Sequence, residues 1–210
     1  MAKRKIPNRY DKIKIGEYSD GSPKFITWGV KVLLYHAERL AGEEKSGAPW
    51  TTTQGCFHAG NLSANTHLGA DIIDTSHFAE QRRLKAIKDM GGFGWIRDGR
   101  DSADFAEPNW HIHWGIKNSR HMDPSAVRQK ASYLGGRNGL LNNAVDRYEY
   151  RTDRQFHYKN AYNNMMDEIE EGRQLERAQR ILKNTKKGSK LHTAILRFIL
   201  RFRGKPKSDH

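Results

Sequence analysis

The sequence predicts an α+β fold: a small antiparallel sheet with helices packed on one side, followed by a C-terminal helical extension. Three observations lead there. Short apolar runs of strand length, at residues 70–74, 93–97 and 110–117, alternate with segments whose apolar residues recur at helical spacing. Glycine pairs and an Asp-Pro step punctuate the joins. Beyond residue 141 the strand-like runs stop, and two helical patterns close the chain.

Taken in order, residues 1–24 are polar and interrupted by Pro7, Gly16, Gly21 and Pro23, which reads as a basic N-terminal arm. Over 26–40, Val30, Leu33, Leu34, Ala37 and Leu40 mark an amphipathic helix that ends near Gly42. Residues 43–66 are rich in Gly, Ser, Thr, Asn and Pro and read as loop, with one short strand at 51–54. Residues 70–74 read as a buried strand. A helix is expected from Ser76 or His77 to about Met90, with Phe78, Leu84 and Ile87 facing inward and Gly91-Gly92 stopping it. Two strands follow, at 93–97 and 110–117, separated by a polar loop. Asp123-Pro124 then opens a helix in the N-cap/N1 arrangement, which runs to about Leu134 and ends at Gly135-Gly136.

No strong period is visible over 142–163. Tyr162, Met165, Ile169, Leu175, Ala178 and Leu182 then follow one helix face. Leu191, Ile195, Phe198 and Phe202 stand at i, i+4, i+7 and i+11 of a second helix, with Gly188 between the two. The expected organisation is an arm at 1–24, a domain at 25–141, and a linker with a basic helical extension at 142–210.

The composition narrows the function classes. The chain has 210 residues, with 37 Lys and Arg against 24 Asp and Glu, a formal charge of +13. The excess is terminal. Residues 1–14 hold six basic residues and one acid, and residues 177–210 hold eleven and one, which leaves 20 basic and 22 acidic residues between them. A single cysteine, Cys56, excludes an internal disulfide framework and a multi-cysteine zinc cluster. No stretch approaches the roughly 20 apolar residues of a membrane span. The basic start is followed by no apolar run of the kind that directs export, so no signal peptide is expected.

Two clusters among the ten histidines carry chemistry. In the first, loop residue His67 stands seven positions before Asp74 at the end of an apolar run; Asp71 competes for the same role. In the second, Glu107-Pro108-Asn109-Trp110-His111-Ile112-His113-Trp114, the period of two puts His111 and His113 on one strand face and Ile112 and Trp114 on the other. Imidazole and carboxylate are ligand types that suit zinc. Two histidines side by side with a glutamate upstream can supply a ligand, a polar stabiliser and a general base. His36, His157, His192 and His210 read as packing or surface residues, and His58 and His121 as polar loop residues.

The order His-x6-Asp, helix, Gly-Phe-x-Trp, Glu-x3-His-Ile-His resembles the hedgehog/D-Ala-D-Ala metallopeptidase superfamily. The match at Glu107, His111 and His113 is to the hedgehog domain. A further likeness, through Thr66-His67, the Trp110–His113 run and Tyr133-x-Gly-Gly-Arg-Asn-Gly-Leu140, is to hydrolase-like proteins of actinobacterial phages. It covers about residues 25–140. In the peptidases a Ser stands where this chain has Asn65, and here Gly69-Ala70 arrives early.

The resemblance implies a hedgehog/DD-peptidase-like fold in which His67, Asp74 and His113 hold one Zn²⁺. Glu107 would then serve as general base toward a water, and His111 would stabilise the oxyanion. It implies a D,D- or L,D-peptidase acting on peptidoglycan stem peptides, phage-encoded, with release from the host cytoplasm through a holin or carriage on the virion. Hedgehog domains keep the metal as binding proteins, so a non-catalytic zinc-bearing module of a phage particle is the alternative. A metal-dependent nuclease ranks third. The basic C-terminal helix reads first as packing on the domain or on virion proteins. Its next reading is attachment to a membrane or to peptidoglycan or another anionic wall polymer, and nucleic acid comes last.

Overall fold

A computed structural model describes residues 4–43, 50–58, 66–100, 109–140 and 143–203. It divides into two units, Met1–Tyr162 and Asn163–His210. The first holds an antiparallel hairpin, β1 (Lys12–Glu17) and β2 (Pro23–Thr27), then α1 (Trp28–Leu40), β3 (Thr52–Gln54), β4 (Ile72–Ser76), α2 (Glu80–Asp89), β5 (Gly92–Arg97), β6 (His111–Ile116) and α3 (Pro124–Leu134). α4 (Tyr158–Lys183) begins there and runs into the second unit, which also contains α5 (Lys190–Arg203). No described helix is long and apolar enough to cross a membrane. The α+β class and the antiparallel pairing are as expected from the sequence.

The central sheet has strand order β3-β4-β6-β5, antiparallel throughout. Register decides what each face carries. Asp74 lies opposite His113, which lies opposite Trp95, and Ser76, His111 and Arg97 form the next row on the same face. Ile73, Trp114 and Gly94 alternate onto the other face with Thr75, Ile112 and Ile96. Ile112 and Trp114 are fully buried, as the two-residue period requires.

That second face is covered by helix: a Cβ on Gly92 would meet Ile87 of α2, and α1 packs on α2 and β6. The first face is covered as well. Ile72, Phe93 and Trp95 form one buried cluster with Ala126 and Tyr133 of α3. The sheet therefore has helices on both sides, not on one. The third helix crosses over because the chain leaves β6 and turns through the Asp123 cap, whose carboxylate accepts from the Ser125 amide at 2.9 Å.

Three other expectations change. Residues 12–27 are a hairpin within the first unit, not a loose arm. Lys12-Ile13-Lys14-Ile15 alternates at the strand period, Gly21 takes the turn at φ +81°, and a bulge sits between Lys14 and Gly16. Phe78 does not face inward; it precedes α2 and is 68% exposed, near the Arg83 guanidinium. The domain boundary falls at Tyr162, later than the expected 141, because residues 143–157 dock on the first unit through polar backbone contacts. Asn118 donates to the Phe156 carbonyl at 2.8 Å, Lys88 to that of Tyr150 at 2.9 Å, and Lys117 to that of Thr152. Gly91, at φ +91°, lets the Phe156 backbone approach so closely that a Cβ would lie 2.4 Å from its nitrogen.

One buried ion pair ties the hairpin to the sheet. Arg9 reaches Asp71 at 3.2 Å, with Asp71 fully buried. The same carboxylate accepts from the Thr27 hydroxyl, and Arg9 also donates to Asn118 at 2.8 Å. Removing one partner of such a pair strands a charge, so Arg9→Ala should cost about 3–5 kcal/mol at neutral pH. Burial already raises the pKa of Asp71 against the pull of Arg9. Without the guanidinium, protonation relieves the strain, and the loss seen in urea melts should shrink as pH falls toward 5.

Lys88 supplies a second test. Its ammonium is buried over the rings of Tyr133 and Tyr148, and burial pushes its pKa down to about 7, with Asp146 opposing the shift. Between about 7 and the ordinary lysine value of 10.5 the unfolded chain carries this proton and the folded chain does not. Stability should therefore rise with pH across pH 7–9.5, by at most about 1.4 kcal/mol per pH unit for one proton. Denaturant titrations of Lys88→Met should show the slope reduced by close to one proton.

Candidate metal centre

Three elements converge on one point. The loop after β3 presents His67, β4 presents Asp74 and β6 presents His113; all three are buried, and one ligand atom from each lies within 4.8 Å of the others. Asp74 Oδ1 is 3.3 Å from His67 Nε2 and 2.7 Å from His113 Nδ1. His111, one pleat along β6, holds Nε2 3.7 Å from Asp74 Oδ2. The sequence-derived set His67, Asp74, His111 and His113 is thus assembled at one place. Glu107 lies outside the described residues, as does Asn65.

Asp71 and Asp74 are separated by what surrounds them. Asp71 is the residue before β4 and sits at φ +65°, its carboxylate turned toward Arg9 and Thr27. Asp74, three residues on, projects from the sheet face that carries the histidines. Burial alone would raise its pKa, but the imidazoles of His67, His111 and His113 together hold it well below the usual carboxylate range. Burial lowers the pKa of His113 in spite of the aspartate beside it, which favours the neutral ring.

The hydrogen bonds fix which nitrogen of each ring faces the centre. His67 Nδ1 lies 3.2 Å from the Gly55 carbonyl. A carbonyl only accepts, so Nδ1 carries the proton and Nε2 of a neutral ring presents a lone pair. That Nε2 is buried with no hydrogen-bond donor, facing a carboxylate oxygen. Two acceptors meeting in a buried site repel unless a cation lies between them. On the far side, His113 Nε2 meets Gln129 Oε1 of α3 at 2.7 Å, which turns Nδ1 toward Asp74. At 2.7 Å a shared proton can hold that contact, and a metal ion would displace it.

The donor set fits a small divalent cation. Tetrahedral bonds of about 2.0–2.2 Å place ligand atoms about 3.3–3.6 Å apart. The His67–Asp74 separation already meets that spacing, and the His113–Asp74 contact has to open by about 0.6–0.9 Å. These three residues could hold a metal ion.

Several contributors were not visible as site residues in the sequence. Gln129 orients His113 as a second-layer partner would. Trp95 lies nearly parallel to the His113 ring, with centroids 6.1 Å apart. Trp95 is held in turn by the Arg137 carbonyl, which accepts from its indole at 2.9 Å, while Arg97 donates to the Asn138 carbonyl at 2.7 Å. Gly139, at φ +70°, fits beneath the Trp95 ring, where a Cβ would come within 2.8 Å. The Gly-Gly-Arg-Asn-Gly run is therefore a cradle for the strand beside the site. From the hairpin, Tyr18 accepts from the Gly55 amide at 2.8 Å and stacks on His58. His121 lies against Tyr10.

No match to this chain is found among family models, curated proteins or solved structures. The geometry alone therefore supports the centre, and metal titration tests it. The wild-type chain should take up one Zn²⁺ or Co²⁺ per chain, measured by calorimetry and by metal analysis after gel filtration. His67→Ala and Asp74→Ala should abolish uptake, and Gln129→Ala should weaken it by about 10–100-fold. Retention of one tight equivalent by Asp74→Ala would show that the metal binds elsewhere.

Proposed function

We propose that the chain is a zinc-dependent peptidase that cleaves an amide bond in peptidoglycan stem peptides, serving phage lysis or entry. The observation that carries this reading is the convergence of two imidazole lone pairs and one carboxylate, with a further histidine on the solvent side. His67, Asp74 and His113 side chains are at most 5% exposed, whereas His111 is 13% exposed, so a substrate would approach past His111. Three protein ligands suit a catalytic zinc, which when bound supplies a Lewis acid and lowers the pKa of a water toward about 7.

The remaining steps belong to this chain's own residues. Glu107 stands four positions before His111 and six before His113, the spacing that resembles the hedgehog domain. It would take a proton from the attacking water and return it to the leaving amine. His111 has Nδ1 2.7 Å from the Asn109 carbonyl, which fixes the proton there and points Nε2 inward. In its protonated form Nε2–H can donate to the oxygen of the attacked carbonyl. Gln129 holds His113 by accepting from its Nε2, and the buried Trp95 ring lies along His113 on the β5 side.

The near-complete burial of the ligands favours one other reading, a metal that stabilises a binding or structural module without turnover. One variant separates the two. Glu107→Gln should keep the metal stoichiometry and the melting temperature while reducing muropeptide cleavage, followed by mass spectrometry, by at least about 100-fold. Unchanged cleavage in that variant would remove the mechanism. A metal-loaded wild-type chain that cleaves no muropeptide, but melts at lower temperature after chelation, would assign the centre to the non-catalytic role.

A further inference from the structure

The second unit carries a surface that the chemistry above leaves unused. α5 contains no acidic residue, and residues 177–210 as a whole hold eleven basic residues against one acid. On α5, Lys190, Arg197 and Arg201 fall at i, i+7 and i+11, one row along the helix, and all three are exposed. Leu196 and Leu200, one turn apart, form the adjoining row and are 38% and 64% exposed. Leu191, on the other side of the cationic row, is 56% exposed. Ile199 is buried and marks the inward side of the helix. The leucines and the cations therefore point outward together.

We propose that α5 binds the surface of an anionic lipid bilayer, with the leucines entering the headgroup–acyl boundary and the basic row contacting lipid phosphates. The pattern selects this occupant over other polyanions. A nucleic acid or a wall polymer would neutralise the cations but leave the adjoining leucines in water. A protein groove would cover the leucines but would need acidic groups interleaved with apolar ones at the same spacing. A bilayer offers both at once: an apolar phase, and above it a plane of negative charge that long Arg and Lys side chains reach by extending away from it. The proposal rests on α5 alone and stands whether or not the metal centre is catalytic.

Co-sedimentation of the full chain with vesicles tests it. The chain should pellet with phosphatidylcholine vesicles that contain phosphatidylglycerol, and the bound fraction should fall as salt screens the charges. Vesicles of phosphatidylcholine alone should bind it far more weakly. Arg197→Gln with Arg201→Gln should lower the partition coefficient by about fivefold per charge removed. Leu196→Glu with Leu200→Glu should abolish pelleting. All four positions are exposed, and far-ultraviolet circular dichroism on each variant checks that the helix persists. A chain that stays in the supernatant with anionic vesicles overturns the proposal. So does undiminished binding by the folded leucine variant, which would assign attachment to charge alone, or equal binding to both vesicle types.

Discussion

The centre depends on the register between β4 and β6. Asp74 faces His113 across that pair, and the same rung carries Trp95 on β5. Side chains alternate along a strand, so a slip of one residue would bring Trp114 to the site face and send His113 to the face covered by α1 and α2. Ile72, Phe93, Ile112 and Trp114 are fully buried on their two faces, which makes such a slip costly on both sides of the sheet. Register is therefore set by packing, and the ligands are carried along by it. The start of β4 is pinned independently: Asp71 takes a left-handed conformation just before the strand, and its carboxylate is locked by Arg9 and Thr27. Two aspartates three residues apart thus do different work, one fixing where the strand begins and the other facing the histidines.

Such a centre sets electrostatics against burial. A carboxylate excluded from water should hold its proton, yet positive charge on the surrounding imidazoles holds the pKa of Asp74 well below the usual carboxylate range, a part that a bound cation could take over when the rings are neutral. The rings are oriented from outside, by the carbonyls of Gly55 and Asn109 and by Gln129, so their inner nitrogens are committed before any ligand arrives. This is preorganisation: the cost of pointing lone pairs at one another falls on folding, and a cation binding there would release it. The hairpin, β3, α3 and the Gly-Gly-Arg-Asn-Gly loop all serve this orientation, which explains why elements distant in sequence crowd one small sheet.

Much of this was legible in the sequence, for physical reasons that also explain what was not. Ile112 and Trp114 against His111 and His113 could be assigned to faces because strand periodicity is local. The Asp123-Pro124 start of α3 and the Gly188 break before α5 carry cap and turn chemistry at fixed positions. The β1–β2 hairpin was hidden by composition: Lys-Ile-Lys-Ile alternates correctly, but its charge and glycines read as a loose arm. Residues 143–157 carry no periodic signal because carbonyls hold them to Lys88, Lys117 and Asn118. Gln129 could not be found at all, since an amide on a helix face acquires a role only when the sheet beneath brings His113 within 2.7 Å. The choice between Asp71 and Asp74 needed Arg9, which lies 62 residues before Asp71 in the chain.

The division of charge follows from the same physics. At physiological ionic strength, fields between exposed charges fade over about 8 Å, so a cationic segment acts on what it touches and little beyond. The His67–Asp74–His113 cluster draws on one buried carboxylate and the imidazoles around it, which the total of +13 neither helps nor describes. In the second unit, residues 163–176 hold five acids and one base, whereas residues 177–210 hold eleven bases and one acid. Charge is thus segregated within a single pair of helices, and the basic half coincides with the outward leucines of α5. A solvated face kept for solubility would need neither feature. On the proposed reading, apolar and cationic rows side by side would meet a partner that presents an apolar phase and negative charge within one side-chain length of each other.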